Sequence, residues 1–112
     1  MGRIEASLLQ GTLDLLVLRV LGAGPRHGYD LVKRIQVLSR DALRIGQGSL
    51  YPALHRLEER GFVSAIWRTT ETGRRARYSA LPAAGRRELD VSEKQWREFS
   101  AAVDSVLRGA KA

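Results

Sequence analysis

The chain has 112 residues, 44% of them hydrophobic, enough for the core of one small domain. It has no cysteine and only two histidines, His27 and His55, which excludes disulfide and thiolate chemistry and leaves no plausible metal site. Nineteen Lys and Arg against twelve Asp and Glu give +7, and the excess is localised: eleven basic and five acidic residues fall between positions 24 and 80. A basic segment of this kind suits an anionic polymer, where counterion release from phosphates supplies affinity; a solvated surface kept for solubility is the plain alternative.

Residues 12–21 read as a first helix, with Thr12 as N-cap and a stop at Gly22 ahead of Gly24-Pro25. Its apolar side chains nearly encircle the cylinder, so one side is expected in the core and another, with Leu9, Leu13 and Leu16, against a second subunit. The longest apolar run, Leu15 to Leu18, is cut by Arg19, far short of the roughly 20 residues a membrane span requires. No leader or span is read, and a cytoplasmic protein is expected.

His27-Gly28-Tyr29 opens a second helix to about residue 39, with Leu31, Ile35 and Leu38 as its inner stripe. His27 is expected to hydrogen-bond at the helix start and Tyr29 to pack in the core. Residues 43–45 are a short strand candidate. Gly46-Gln47-Gly48 turns into a third helix, with Ser49 as N-cap, Pro52 in its first turn, and Leu50, Ala53, Leu54 and Leu57 facing inward. Gly61 suits the left-handed position that ends such a helix.

Residues 62–68 and 76–81 form a hairpin with a tip at residues 69–75, and Trp67 is expected beneath it. Pro82-Ala83-Ala84-Gly85 opens a last helix to about residue 108, in which Leu89, Trp96, Phe99, Val103 and Val106 follow a heptad seam broken by Ser92. That seam is expected to pair with its symmetry mate. A helix followed by a hairpin with arginines at its tip is the layout of a winged helix-turn-helix, mainly α with a small β-hairpin. Residues 1–81 are then a DNA-binding domain and residues 82–112 a dimerisation helix.

On this layout Tyr51, Pro52, His55 and Arg56 point outward from the end of the third helix that enters a major groove. Tyr51 is the first choice for a DNA contact, hairpin packing being its alternative. Arg56 suits a guanine edge or a phosphate, Gln47 an adenine or a plain loop, and Ser49 a cap or a phosphate. Lys33 and Arg34 suit register-setting phosphate contacts, Arg74 and Arg75 wing contacts, and Arg77 a wing contact or an ion pair with an acid. A winged-helix module binding an acidic protein is the competing function. No paired carboxylates, triad or phosphate-cradling glycine loop stands out, so no enzyme, cofactor or metal is expected.

Several segments together resemble the PadR family of bacterial transcription regulators. They are Leu13-Asp14-Leu15-Leu16-Val17-Leu18, His27-Gly28-Tyr29, Gly48-Ser49-Leu50-Tyr51-Pro52-Ala53-Leu54 with Leu57-Glu58, Arg74-Arg75-Ala76-Arg77-Tyr78, and Leu81-Pro82-Ala83-Ala84-Gly85. The resemblance spans about residues 9–107 in the family's order, and a single C-terminal helix looks like its short branch. Ser79 departs from it where a second aromatic is common. The resemblance implies a homodimer on a palindromic operator, commonly as a repressor, with the last helix and the first at the subunit contact. It also implies that Trp96 and Phe99 line a site for a small planar aromatic effector; an aromatic plug in the seam is the alternative.

Overall fold

The computed structural model describes residues 6–110, with side chains from Thr12 onward. Four helices and three short strands follow in the order α1 (Ala6–Leu21), β1 (Arg26–His27), α2 (Gly28–Leu38), α3 (Gln47–Glu59), β2 (Ser64–Thr69), β3 (Arg75–Ala80) and α4 (Ala83–Gly109).

The leucine-rich α1 is the central post. Leu13, Val17, Leu18, Val20 and Leu21 are buried, and α2, α3 and α4 all pack against this helix. Thr12 lies inside α1 and does not cap it. A threonine ahead of an apolar run looks like an N-cap, but here the helix already extends through the residues before it. It ends where Gly22 N–H returns to Leu18 O at 2.9 Å.

His27 closes the start of α2 as expected: its Nδ1 accepts the Asp30 N–H at 3.3 Å. Leu31 and Ile35 face inward, but Leu38, one turn further at the helix end, and Tyr29 do not; both are 59% exposed, and the Lys33 ammonium lies 5.8 Å from the centre of the Tyr29 ring. Residues 43–45 are not a strand, because no neighbouring strand offers them a ladder, and only Ile45 is buried in the core. The strand that does form is β1, two residues long. It adds to the hairpin so that β3 becomes the middle of an antiparallel sheet ordered β1-β3-β2.

Helix α3 starts three residues earlier than its sequence suggests, with Gly46 rather than Ser49 at the N-cap and no capping side chain, so Ser49 lies in its first turn. Pro52 therefore falls beyond that turn and has no N–H to offer the carbonyl four residues back, on the exposed Gly48. The helix closes with paired reverse hydrogen bonds, Phe62 N–H to Leu57 O at 2.9 Å and Gly61 N–H to Glu58 O at 3.0 Å, with Gly61 at φ 78°. Leu50, Ala53, Leu54 and Leu57 complete the core from this side.

The hairpin pairs Ser64 with Ala80 through to Thr69 with Arg75. Its tip is closed by Thr70 N–H to Arg74 O at 2.6 Å and Gly73 N–H to Thr70 O at 2.9 Å, with Gly73 at φ 83°. Helix α4 leaves the sheet through Pro82. A Cβ on Gly85 would lie 2.0 Å from the Phe62 carbonyl oxygen, so only glycine permits this approach. Leu89 inserts beside Gly22, and from Val91 onward the apolar side chains of α4 are exposed. Twenty-seven residues make a rod of about 40 Å, which accounts for a molecule measuring 62 × 31 × 20 Å.

Candidate nucleic-acid interface

The outward face of α3 carries Gln47, Gly48, Ser49, Tyr51, Pro52, His55 and Arg56, all exposed. Its inner stripe fixes this, because burying Leu50, Ala53, Leu54 and Leu57 turns the intervening residues to solvent. Tyr51 lies across the start of α2: a Cβ on Gly28 would approach the Tyr51 hydroxyl at 2.7 Å, so the glycine of His27-Gly28-Tyr29 leaves room for this phenol.

Two arginines of this region are held by acids. Arg77 Nη2 donates to Glu58 Oε1 at 2.6 Å, joining the wing to the end of α3. This is the ion-pair alternative open to Arg77 in the sequence. The Glu58 hydrogen bond raises the guanidinium pKa above its ordinary value, against a smaller opposing effect of desolvation, and Glu58 charge and nearby Tyr51 add to the rise. Arg56 Nη2 donates to Asp14 Oδ1 at 2.8 Å, tying the outer face of α3 to α1. Neither acid stands out in the sequence, since the pairs span 19 and 42 residues and no local spacing marks them.

The wing is built on cation–aromatic contacts. Trp67 is not beneath the hairpin; it is 57% exposed, and the Arg75 guanidinium lies 5.4 Å from its ring centre. Arg68 sits 5.6 Å from the ring of Tyr78, whose other neighbour is His27 at 5.5 Å, edge to face. Cross-strand register explains the first contact: Trp67 faces Arg77, and Arg75 is the next residue on the same side of β3. Arg74 makes no side-chain contact with an acid among the described residues. Ser79, the departure from an aromatic, is 3% exposed and lies between Arg26 and Ala65 in the ladder.

Arg34 lies elsewhere. With Arg19 and Arg26 it lines a groove of about 330 Å³ between the end of α1 and the second half of α2. On α4, Trp96, Phe99, Val103 and Val106 are 42%, 62%, 41% and 67% exposed, with the two aromatic rings 6.2 Å apart. Leu13 and Leu89, expected at a subunit contact, are buried in the chain's own core; Leu16 is half-buried, and the Leu9 side chain lies outside the described residues. No group of acids and histidines able to hold a metal ion occurs among the described residues, and no helix there is long and apolar enough to cross a membrane.

Residues 17–91 match the PadR-like transcriptional regulator family. The chain belongs to that family. Among solved structures, a PadR family transcriptional regulator from Eggerthella lenta is 33% identical, with a TM-score of 0.75 over 90% of this chain and 86% of that one. A transcriptional regulator from Clostridium thermocellum, 24% identical, shares the fold at a TM-score of 0.81, covering 91% of this chain and 96% of its own. The Escherichia coli transcriptional regulator YqjI is 30% identical over 94 residues, which is 84% of this PadR-like chain but 44% of YqjI.

Proposed function

We propose that this PadR-like regulator binds a pseudo-palindromic operator as a homodimer. The exposed start of α3 enters the major groove, and Arg74 and Arg75 on the wing reach flanking phosphates or the minor groove. One observation carries this: α3 presents a polar, outward Gln47-to-Arg56 face beside a hairpin whose tip holds Arg74 free of any acid among the described residues. Two such faces read half-sites about one helical turn apart, roughly 10 base pairs centre to centre. The exposed seam of α4 supplies the subunit contact, since four large apolar residues at heptad spacing are costly to leave in water. Trp96 and Phe99 on that seam line a site for a planar aromatic effector, whose binding releases the operator and makes the protein a ligand-responsive repressor.

Fluorescence anisotropy on the chain's own upstream DNA against a scrambled duplex, at two salt concentrations, tests the DNA reading. Competitor-resistant binding to the native fragment alone is expected. Equal, salt-fragile binding to both refutes it and points to an acidic protein partner. Quenching of Trp96 fluorescence by planar phenolics or cationic dyes, in a Trp67→Phe background, tests the effector site; a flat response across the panel removes it.

A further inference from the structure

None of the residues lining the groove between α1 and α2 belongs to α3 or to α4. Arg19, Arg26 and Arg34 line it together with Val20, Ala23 and Leu38, in a volume of about 330 Å³. No carboxylate is among the lining residues. Arg26 is engaged only through Nη1, which donates to Asp30 at 2.7 Å; its Nε is shielded from solvent and has no hydrogen-bond partner. Arg19 approaches Glu93 no closer than 3.9 Å, and Arg34 has no ion pair among the described residues.

Asp30 balances Arg26 from one side and Glu93 stands 3.9 Å from Arg19, so three guanidiniums meet two carboxylates and the groove keeps an excess of positive charge, with Arg34 unpaired among the described residues and Arg26 Nε without a partner. An anion of matching geometry would offset that excess, and guanidinium pairs best with phosphate or carboxylate oxygens arranged for two parallel hydrogen bonds. The remaining wall is apolar, with Val20 buried behind it and Leu38 59% exposed at its edge. The volume is at the lower end of the range for small-molecule sites.

We infer that this groove is a binding site for a small phosphomonoester with an apolar substituent, its phosphate among Arg19, Arg26 and Arg34 and its apolar part on Val20, Ala23 and Leu38. The charge requirement and the apolar requirement can be separated with hexyl phosphate, inorganic phosphate and hexanol, each titrated into the full chain. Calorimetry gives the affinities, and amide proton–nitrogen spectra give the location. Hexyl phosphate is expected to bind at least tenfold more tightly than inorganic phosphate, about what burial of two methylenes supplies. Hexanol is expected not to bind measurably. The Gly22 and Ala23 amides should shift while the Trp96 indole does not. Arg34→Gln and Arg19→Gln, both at exposed side chains, should each weaken hexyl phosphate at least fivefold, whereas Arg108→Gln on the far end of α4 should not.

Equal affinity for the two phosphates overturns the inference, because the apolar wall then contributes nothing. Shifts centred on Trp96 and Phe99 overturn it by assigning the ligand to the α4 seam. Parental affinity in Arg34→Gln and Arg19→Gln overturns it as well.

Discussion

Replacing Gly85 with alanine tests how α4 is seated. The new Cβ would lie 2.0 Å from Phe62 O, 3.0 Å from Phe62 C and 2.6 Å from Leu81 Cδ1. The leucine methyl can rotate away; the carbonyl cannot, because it shares a peptide plane with the Val63 N–H, which donates to Leu57 O at 3.3 Å in the turn that closes α3. Relief therefore has to come from lifting the base of α4 by about 1 Å, which also loosens Leu89 against Gly22. Overpacking of this severity costs about 3 kcal/mol, at the upper end of its usual range. The gain from placing alanine rather than glycine in a helix offsets about 1 kcal/mol. The net loss of about 2 kcal/mol corresponds to a fall in Tm of about 8 °C for a chain of this length. Thermal unfolding followed by circular dichroism, at matched protein concentration so that subunit association does not confound it, reads this directly. Gly109→Ala is the control, with nothing within 4 Å of its new Cβ and no change expected beyond about 0.5 kcal/mol. A Gly85→Ala protein as stable as that control refutes the close approach.

Gly28→Ala differs because its Cβ would meet the far end of a flexible side chain, Tyr51. The phenol should swing aside with a stability change under about 1 kcal/mol, while DNA affinity falls; unchanged affinity removes Tyr51 from the interface. Asp14→Asn frees Arg56 from its 2.8 Å partner. If Arg56 then gains a phosphate, the slope of log affinity against log salt steepens by about 0.9, and an unchanged slope places Arg56 away from the backbone. Glu58→Gln removes the charge that holds Arg77 and should cost about 1 kcal/mol in urea unfolding, near the top of the range for pairs that are partly exposed. Phe99→Glu should convert the proposed dimer to a folded monomer in sedimentation equilibrium; a persistent dimer rules out the α4 seam.

The winged helix-turn-helix was legible because its signals are local. The apolar stripe of α3, its closing glycine, the Gly73 turn and the heptad spacing of α4 each lie within a few residues of one another. What was missed depends on partners distant in sequence. β1 exists only because Ser79 and Tyr78 lie alongside Arg26 and His27, and two residues carry no period of their own. Tyr29 and Trp67 are large aromatics that composition alone sends to the core; both instead lie outside with a cation over the ring. The outward residues of α3 were readable from its inner stripe, but the acids that hold Arg56 and Arg77 were not. Each lies on another turn or helix, and only the folded chain brings them within reach.

The length of exposed α4 also sets a ruler in the proposed dimer. Its apolar residues repeat by heptads, so a second helix has more than one register in which apolar meets apolar. A slip of one heptad moves the partner by about 10 Å along the helix. That distance equals about three base pairs of duplex, or about 100° around its axis, which would turn the second α3 from the major groove toward the backbone. Trp96 and Phe99 are the bulkiest residues of the repeat and Ser92 its polar step, so this unevenness selects one register. In the proposed dimer the aromatic pair would thereby fix the spacing of two reading heads that lie on another helix.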